Sequence, residues 1–318
     1  MKKTVRVGII GNGYIAAECA RIIDKSPMTL SRAVIDTSRP TISGDFEGYL
    51  SSEGHPWLAS SSLNEQETLG FLSQGLCDVV LSVNNHQIIR APLLERFPGQ
   101  IINFHNGPLP RYAGLNAPSW AIFNGESCHG VTWHVVDGGV DTGDILTQRQ
   151  FAIPPATTAR QLMMTAIDQG IDLCEELVAK LAQGNLEPTR QDLSQRTFYQ
   201  SSDVPGEARI DLTSSYDYLN RLVRALNFNP LESPLPLPGL TWRGRPFFID
   251  SIALAEPEDG CSLGMVVQAE DQLVIQGNSF AIEVTGVRNE RRERVPVSAV
   301  VSQYGIVVGM HLDEYLNE

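Results

Sequence analysis

Paired cysteines are missing from this 318-residue chain. Cys19, Cys77, Cys128, Cys174 and Cys261 are odd in number and form no C-x-x-C pair, which argues against a disulfide framework and a zinc knuckle. They are expected to be buried small side chains. Positive charge is scarce: 24 Lys and Arg face 37 Asp and Glu, a net charge of -13. That balance repels polyphosphate backbones and makes nucleic acid a poor partner. The arginine cluster Arg288, Arg291, Arg292 and Arg294 is interleaved with Glu290 and Glu293 and reads as a solvated charged hairpin. There is no apolar run of membrane-spanning length and no signal-like region after Met1-Lys2-Lys3, so a soluble, cytoplasmic protein without a membrane partner is expected. Internal repeats and low-complexity tracts are absent as well.

What the chain does have, 42% hydrophobic residues, is enough for two domains. Strand-like runs at Thr4–Ile10, Leu30–Ile35, Asp78–Val83 and Ile101–Phe104 alternate with helical periods at Tyr14–Ile23, Leu63–Gln74 and Pro92–Phe97. This order predicts a doubly wound, mostly parallel α/β sheet of Rossmann-like type. Val131–Val136 and Asp144–Phe151 read as paired strands, and Thr158–Leu181 as one long helix. These segments place a first domain over 1–184. A polar linker with little structure of its own is expected over 185–205. A helix over Ser214–Leu226 then leads to short strands at Phe247–Leu254, Gly264–Val267, Leu273–Ile275, Phe280–Val284 and Gly305–Met310. They predict a small β-barrel, OB-like, over 206–318.

Two stretches compete to define the chemistry. The first, VRVGIIGNGYIA over Val5–Ala16, sets Gly11 and Gly13 in a G-x-G-x-x-A turn, with Asp36 at the end of the next strand. A dinucleotide site would use the glycines for close backbone approach and Asp36 for the ribose. The motif is weak evidence for NAD or NADP, since many α/β domains use such a turn only to bring strand and helix together. The second is INFHNGPLPRYAGLNAPSW over Ile102–Trp120, followed by HGVTWHVVDGGVDTGDIL over His129–Leu146. Asn103 and His105 alternate at the end of a buried strand, so both should face one side of the sheet at its carboxyl edge. Asp141 sits in a glycine-rich loop between two strands. An amide, an imidazole and a carboxylate on one edge suit acyl transfer, the first two for an oxyanion and the third for protons. No nucleophilic Ser or Cys accompanies them, which favours direct attack by a substrate amine. Taken singly, Asn103 could cap a turn, His105 could be a satisfied loop histidine and Asp141 could begin a turn.

In combination these residues resemble the folate-dependent N-formyltransferases, methionyl-tRNA formyltransferase and its relatives. Asn103-Phe104-His105, Leu109-Pro110 and Val140-Asp141-Thr142-Gly143 are similar in order and spacing to that family's Asn-x-His, Leu-Pro and Asp-x-Gly. The resemblance continues through the long helix into Pro205–Pro230, which looks like the entrance to the family's small carboxyl-terminal domain. It implies a 10-formyltetrahydrofolate donor and no metal, with catalytic roles for Asn103, His105 and Asp141. Backbone groups at Gln87, Ile88 and Ile89, and at Asp137, Gly138 and Val140, would hold the folate. His86 departs from the pattern and reads as structural.

The loop His105-Asn106-Gly107-Pro108-Leu109-Pro110 lacks the serine common in the family, and Pro108 stiffens it. Asn106, Gly107 and Pro108 therefore border an acceptor side that resembles formyltransferases of specialised metabolism. The expected acceptor is a small-molecule or carrier-protein-bound amine. Residues 206–318 carry nine basic against sixteen acidic side chains, whereas a domain that grips tRNA should be basic, so tRNA is disfavoured. A nucleotide-linked amino sugar stays open, and Tyr14 after the opening turn would then contact it. An NAD(P)-dependent oxidoreductase and a catalytically silent folate- or carrier-binding module are the readings from other classes. The oligomeric state, a homodimer included, stays open.

Overall fold

Strand β1 (Arg6–Gly11) is apolar on both faces, with Val7 and Ile9 packed into one core and Ile10 into another. It therefore belongs in the middle of a sheet covered on both sides. Residues 4–39, 46–73 and 75–312 are described by the computed structural model. They divide into two units, Met1–Ala117 with Cys128–Ala152 and Met163–Tyr199, and Pro118–Ser127 with Ile153–Leu162 and Gln200–Glu318.

After β1 come α1 (Gly13–Asp24), β2 (Thr29–Asp36), α2 (Phe46–Ser52), β3 (Trp57–Ser60), α3 (Gln66–Phe71) and β4 (Val79–Val83). Then follow α4 (Ala91–Leu94), β5 (Ile101–His105), β6 (Ala113–Gly114), α5 (Ala117–Phe123), β7 (Cys128–Val135), β8 (Ile145–Ala152), α6 (Ala159–Gln183) and β9 (Phe198–Tyr199). The sheet order is β3-β2-β1-β4-β5-β7-β8. The first five strands are parallel, and β7 and β8 are antiparallel, so the mixed, mostly parallel α/β sheet expected from the sequence is present. Cys19, Leu81, Ile102, Trp133 and Leu177 share one core, and Val34, Val80, Phe97 and Ile101 the other. The helix expected over Leu63–Gln74 shortens to α3; Gln74 itself lies outside the described residues.

The opening glycine turn has a packing reason. A Cβ on Gly11 would lie 1.8 Å from the Val83 carbonyl oxygen, so only glycine lets β1 and β4 approach there. The Asn12 side chain accepts from Gly13 N and caps α1.

In the second unit, α7 (Tyr216–Leu226) begins at Ser215, whose hydroxyl accepts from Tyr218 N, and buries Leu219, Leu222, Val223 and Leu226. It precedes β10 (Gly239–Trp242), β11 (Arg245–Ala255), β12 (Val266–Ala269), β13 (Leu273–Gln276), β14 (Ala281–Arg288), β15 (Arg294–Val295) and α8 (Val297–Tyr304). These strands form an antiparallel sheet in the order β10-β11-β14-β13-β12, with β15 on β14. Register shifts beside Ser251 curl it. Among the described residues β10 and β12 do not pair with each other, leaving a curled half-barrel where the sequence suggested closure. The strand expected over Gly305–Met310 is absent; α8 occupies the preceding residues and stops at Gly305, whose φ of 62° suits glycine. Cys19, Cys77 and Cys174 are buried as expected, but Cys128 is exposed and Cys261 half-buried. Cys128 opens β7 ahead of the stretch that pairs with β5 and so escapes the core.

Candidate active site

The antiparallel pairing of β5 with β7 sets Asn103 opposite His134 and His105 opposite Thr132. Directly opposed side chains share a face of the sheet, so four polar groups collect at the carboxyl end of β5. Phe104, on the other face, packs against Trp133 with ring centroids 5.3 Å apart and the planes tilted by 50°. A Cβ on Gly170 of α6 would meet the Phe104 ring at 2.3 Å, and Trp133 Nε1 donates to the Gly170 carbonyl. This apolar side anchors the strand.

The structure brings Asp141 to the same cluster. Its backbone is left-handed, with φ 55°. Its Oδ2 lies 3.5 Å from His105 Nδ1 and its Oδ1 lies 3.4 Å from His134 Nε2, while Gly114 N donates to Oδ2 at 2.8 Å. His105 Nε2 donates to the Tyr112 carbonyl at 2.7 Å, so in the neutral ring Nδ1 carries the lone pair that faces Asp141. His134 Nδ1 donates to the Val135 carbonyl at 2.9 Å, and its Nε2 lies 3.2 Å from Asn103 Nδ2. In the neutral His134 ring the Asn103 amide is therefore the donor of that pair.

Burial pushes the His105 imidazole below its usual value, and Asp141 opposes this only in part. The ring is thus neutral at neutral pH. Burial works against ionisation of Asp141 too, but His105, the His134 hydrogen bond and the Gly114 N–H outweigh it and hold the carboxyl well below the usual carboxylate range. A neutral base beside a fixed carboxylate can take up a proton and have the resulting cation stabilised at once.

The loop after β5 is held from beneath. Thr132, fully buried, donates to the Gly107 carbonyl and accepts from Leu109 N and Gln148 Nε2. His129 Nε2 donates to the Asn106 carbonyl. A Cβ on Gly107 would come within 2.6 Å of His105 Nε2, so glycine there leaves room for the His105–Tyr112 bond. Pro108 is half-buried in the same loop. Sequence reasoning singled out none of His134, Thr132, Gln148 or the Tyr112 carbonyl. The alternation of Thr132 and His134 with the apolar Val131, Trp133 and Val135 was the available signal.

The expected donor-binding positions lie on two loops. Ile88 is exposed and Ile89 packs against the second core. Gln87 uses its side chain internally, donating to Asp36 and accepting from Leu63 N. In the other loop Gly138 and Val140 are exposed, and Asp137 accepts from Gly139 N and the Thr142 hydroxyl. Tyr14 is exposed in the first turn of α1, with no hydrogen bond or ring contact to the cluster among the described residues. Asp36, the acid a dinucleotide site would need, is 1% exposed. Its oxygens accept from Ser38 N, His86 N and Gln87 Nε2, which leaves it poorly placed to hold a ribose.

Residues 18–176 match the family model of the formyl transferases. A methionyl-tRNA formyltransferase of Solibacter usitatus is 32% identical over 67% of this chain and 66% of its own, so the alignment spans just under two thirds of that relative. A GDP-perosamine N-formyltransferase of Brucella melitensis is 29% identical over 61% of this chain and 73% of its own. Among solved structures, an N-formyltransferase from Helicobacter canadensis in complex with folinic acid and dTDP-3-aminofucose superposes with a TM-score of 0.69 at 21% identity, covering 88% of this chain and 99% of that one. With half its length matched by the family model around the Asn103, His105 and Asp141 cluster, the chain belongs to the formyl transferase family.

Proposed function

We propose that this protein transfers the formyl group of 10-formyltetrahydrofolate to a primary amine of a small-molecule or carrier-tethered biosynthetic acceptor. The observation that carries the reading is the buried neutral imidazole of His105, set between the Asp141 carboxylate and the Tyr112 carbonyl beside Asn103 and His134. The acceptor amine attacks the formyl carbon directly, and the carbonyl electrons move onto oxygen. An Asn103 N–H stabilises that oxyanion. With Nε2–H committed to Tyr112, the His105 atom that takes the amine proton is Nδ1, directly or through a water, and Asp141 stabilises the imidazolium. Collapse re-forms the carbonyl, breaks the bond to the folate nitrogen and returns the proton to that nitrogen.

In this reading residues 1–184 carry catalysis, 185–205 connect, and 206–318 form an OB-like module. Backbone groups at Gln87–Ile89 and at Asp137, Gly138 and Val140 hold the folate, whereas Asn106, Gly107 and Pro108 border the acceptor. A nucleotide-linked amino sugar is the second reading, supported by what the Brucella and Helicobacter proteins act on or bind; Tyr14 would then face it. The methionyl-tRNA relative keeps tRNA in the comparison, while the acidic balance of 206–318 weighs against it. The test is tetrahydrofolate release with 10-formyltetrahydrofolate and a panel of amino acids, carrier-tethered aminoacyl groups, nucleotide-linked amino sugars and methionyl-tRNA. Turnover confined to the first two classes is expected. Turnover on the amino sugars alone would move the assignment to the second reading, and turnover on none would remove it.

A further inference from the structure

The chain that follows α6 does more than connect. Thr189 pairs with Ile145 across two backbone hydrogen bonds of 2.8 Å each, next to the Asp141 loop. Two residues on, the buried Gln191 side chain donates from Nε2 to two carbonyls, that of Asp141 at 3.0 Å and that of Gly143 at 2.6 Å. Turned over, its oxygen would face both carbonyl oxygens, so the donor end must point this way. Arg196 Nη2 donates to the Val140 carbonyl at 3.0 Å, with its guanidinium over the Phe198 ring. The same segment reaches the other side of the cluster. Thr197 accepts from Tyr112 N through its hydroxyl and from Ala113 N through its carbonyl, and β9 pairs with β6 in parallel.

We propose that residues 189–199 are a positioning strap for the catalytic pair, in which Gln191 sets the backbone of Asp141, and Thr197, through Tyr112, sets the carbonyl that orients His105. The inference rests on the formyltransferase reading. Asp141 is held in a left-handed backbone conformation that non-glycine residues seldom adopt, and in that conformation its carboxylate lies against both histidines. Gln191 occupies the two carbonyls that flank Thr142 and so fixes that conformation. It touches no substrate and acts through Asp141.

The test compares wild type with Gln191→Met, which keeps the bulk and removes both donors. Hydrogen exchange of residues 137–143, read without substrate, should accelerate in the variant. Unchanged exchange overturns the proposal whatever reaction the protein catalyses, which separates its failure from that of the functional reading. With the accepted amine, kcat should fall about 100-fold, as for a misplaced catalytic group, while KM for donor and acceptor stays within about twofold. In the Asp141→Asn background the same substitution should change the residual rate little, because the group it positions is gone. An equal fall in that background, or a rise in KM with kcat intact, overturns the proposal. If Gln191→Met fails to fold, Arg196→Met removes the bond to Val140 and the guanidinium over Phe198 but leaves Gln191 in place; faster exchange of the loop with a smaller fall confined to kcat is expected, and wild-type behaviour overturns the strap.

Discussion

At the scale of single residues, the account turns on His105 being neutral while Asp141 is charged. The folded state lowers the affinity of His105 for a proton below the usual histidine value of about 6.5. Below that pH the unfolded chain therefore binds more protons than the folded one, and stability is lost as pH falls from about 6.5 toward the folded value. His86 is shifted in the same direction, chiefly by burial. Asp141, lowered in the fold, contributes stability that is present above the ordinary carboxylate range and is lost only at more acid pH. Melting temperatures measured from pH 7.5 to 5 should fall with pH, and His105→Asn should make the fall shallower; an unchanged slope would mean that His105 is not held neutral. Asn103, His105 and Asp141 were legible because two alternate at a strand end and the third sits in a glycine loop. His134 was not, since one histidine in a buried strand reads equally well as a satisfied core residue until β5 is known to lie opposite.

At the scale of elements, the doubly wound sheet follows from strands apolar on both faces alternating with helical periods, and those patterns are written in the residues. Gly11 was legible as a glycine turn but not as to purpose. Its neighbour Val83 comes from 72 positions along the chain, and only the β1–β4 pairing puts a carbonyl where a Cβ would go. Gly11→Ala should cost about 3 kcal/mol, at the upper end for overpacking against an atom that cannot rotate away, read as a lower denaturant midpoint with an unchanged slope. A loss below about 0.5 kcal/mol would contradict the close approach. The polar composition of 185–205 suggested a tether because Gln, Arg and Thr are the ordinary residues of exposed loops. Its bonds to Asp141, Val140 and Tyr112 are long-range, and nothing local announces them. Most strands of the β domain were legible, the one expected over Gly305–Met310 and the helix α8 excepted, whereas its closure depends on pairing that no strand encodes alone.

At the scale of the whole molecule, a net charge of -13 and the acidic balance of 206–318 weigh against a polyanionic partner. Among the described residues no helix is long and apolar enough to cross a membrane. In the proposed reading the loop from Asn106 to Pro108, where this chain departs from the serine-bearing pattern it resembles, borders the acceptor, and the choice of amine would be made there. The most direct test of the central claim is the rate of tetrahydrofolate release from 10-formyltetrahydrofolate with the accepted amine, wild type against Asp141→Asn, at equal donor saturation. The account predicts a fall in kcat of roughly 100- to 10,000-fold, the range for a lost acid–base partner, with donor binding largely retained and a lower melting temperature, since the carboxylate's contribution to stability is lost with it. A variant that releases tetrahydrofolate at the wild-type rate would contradict it.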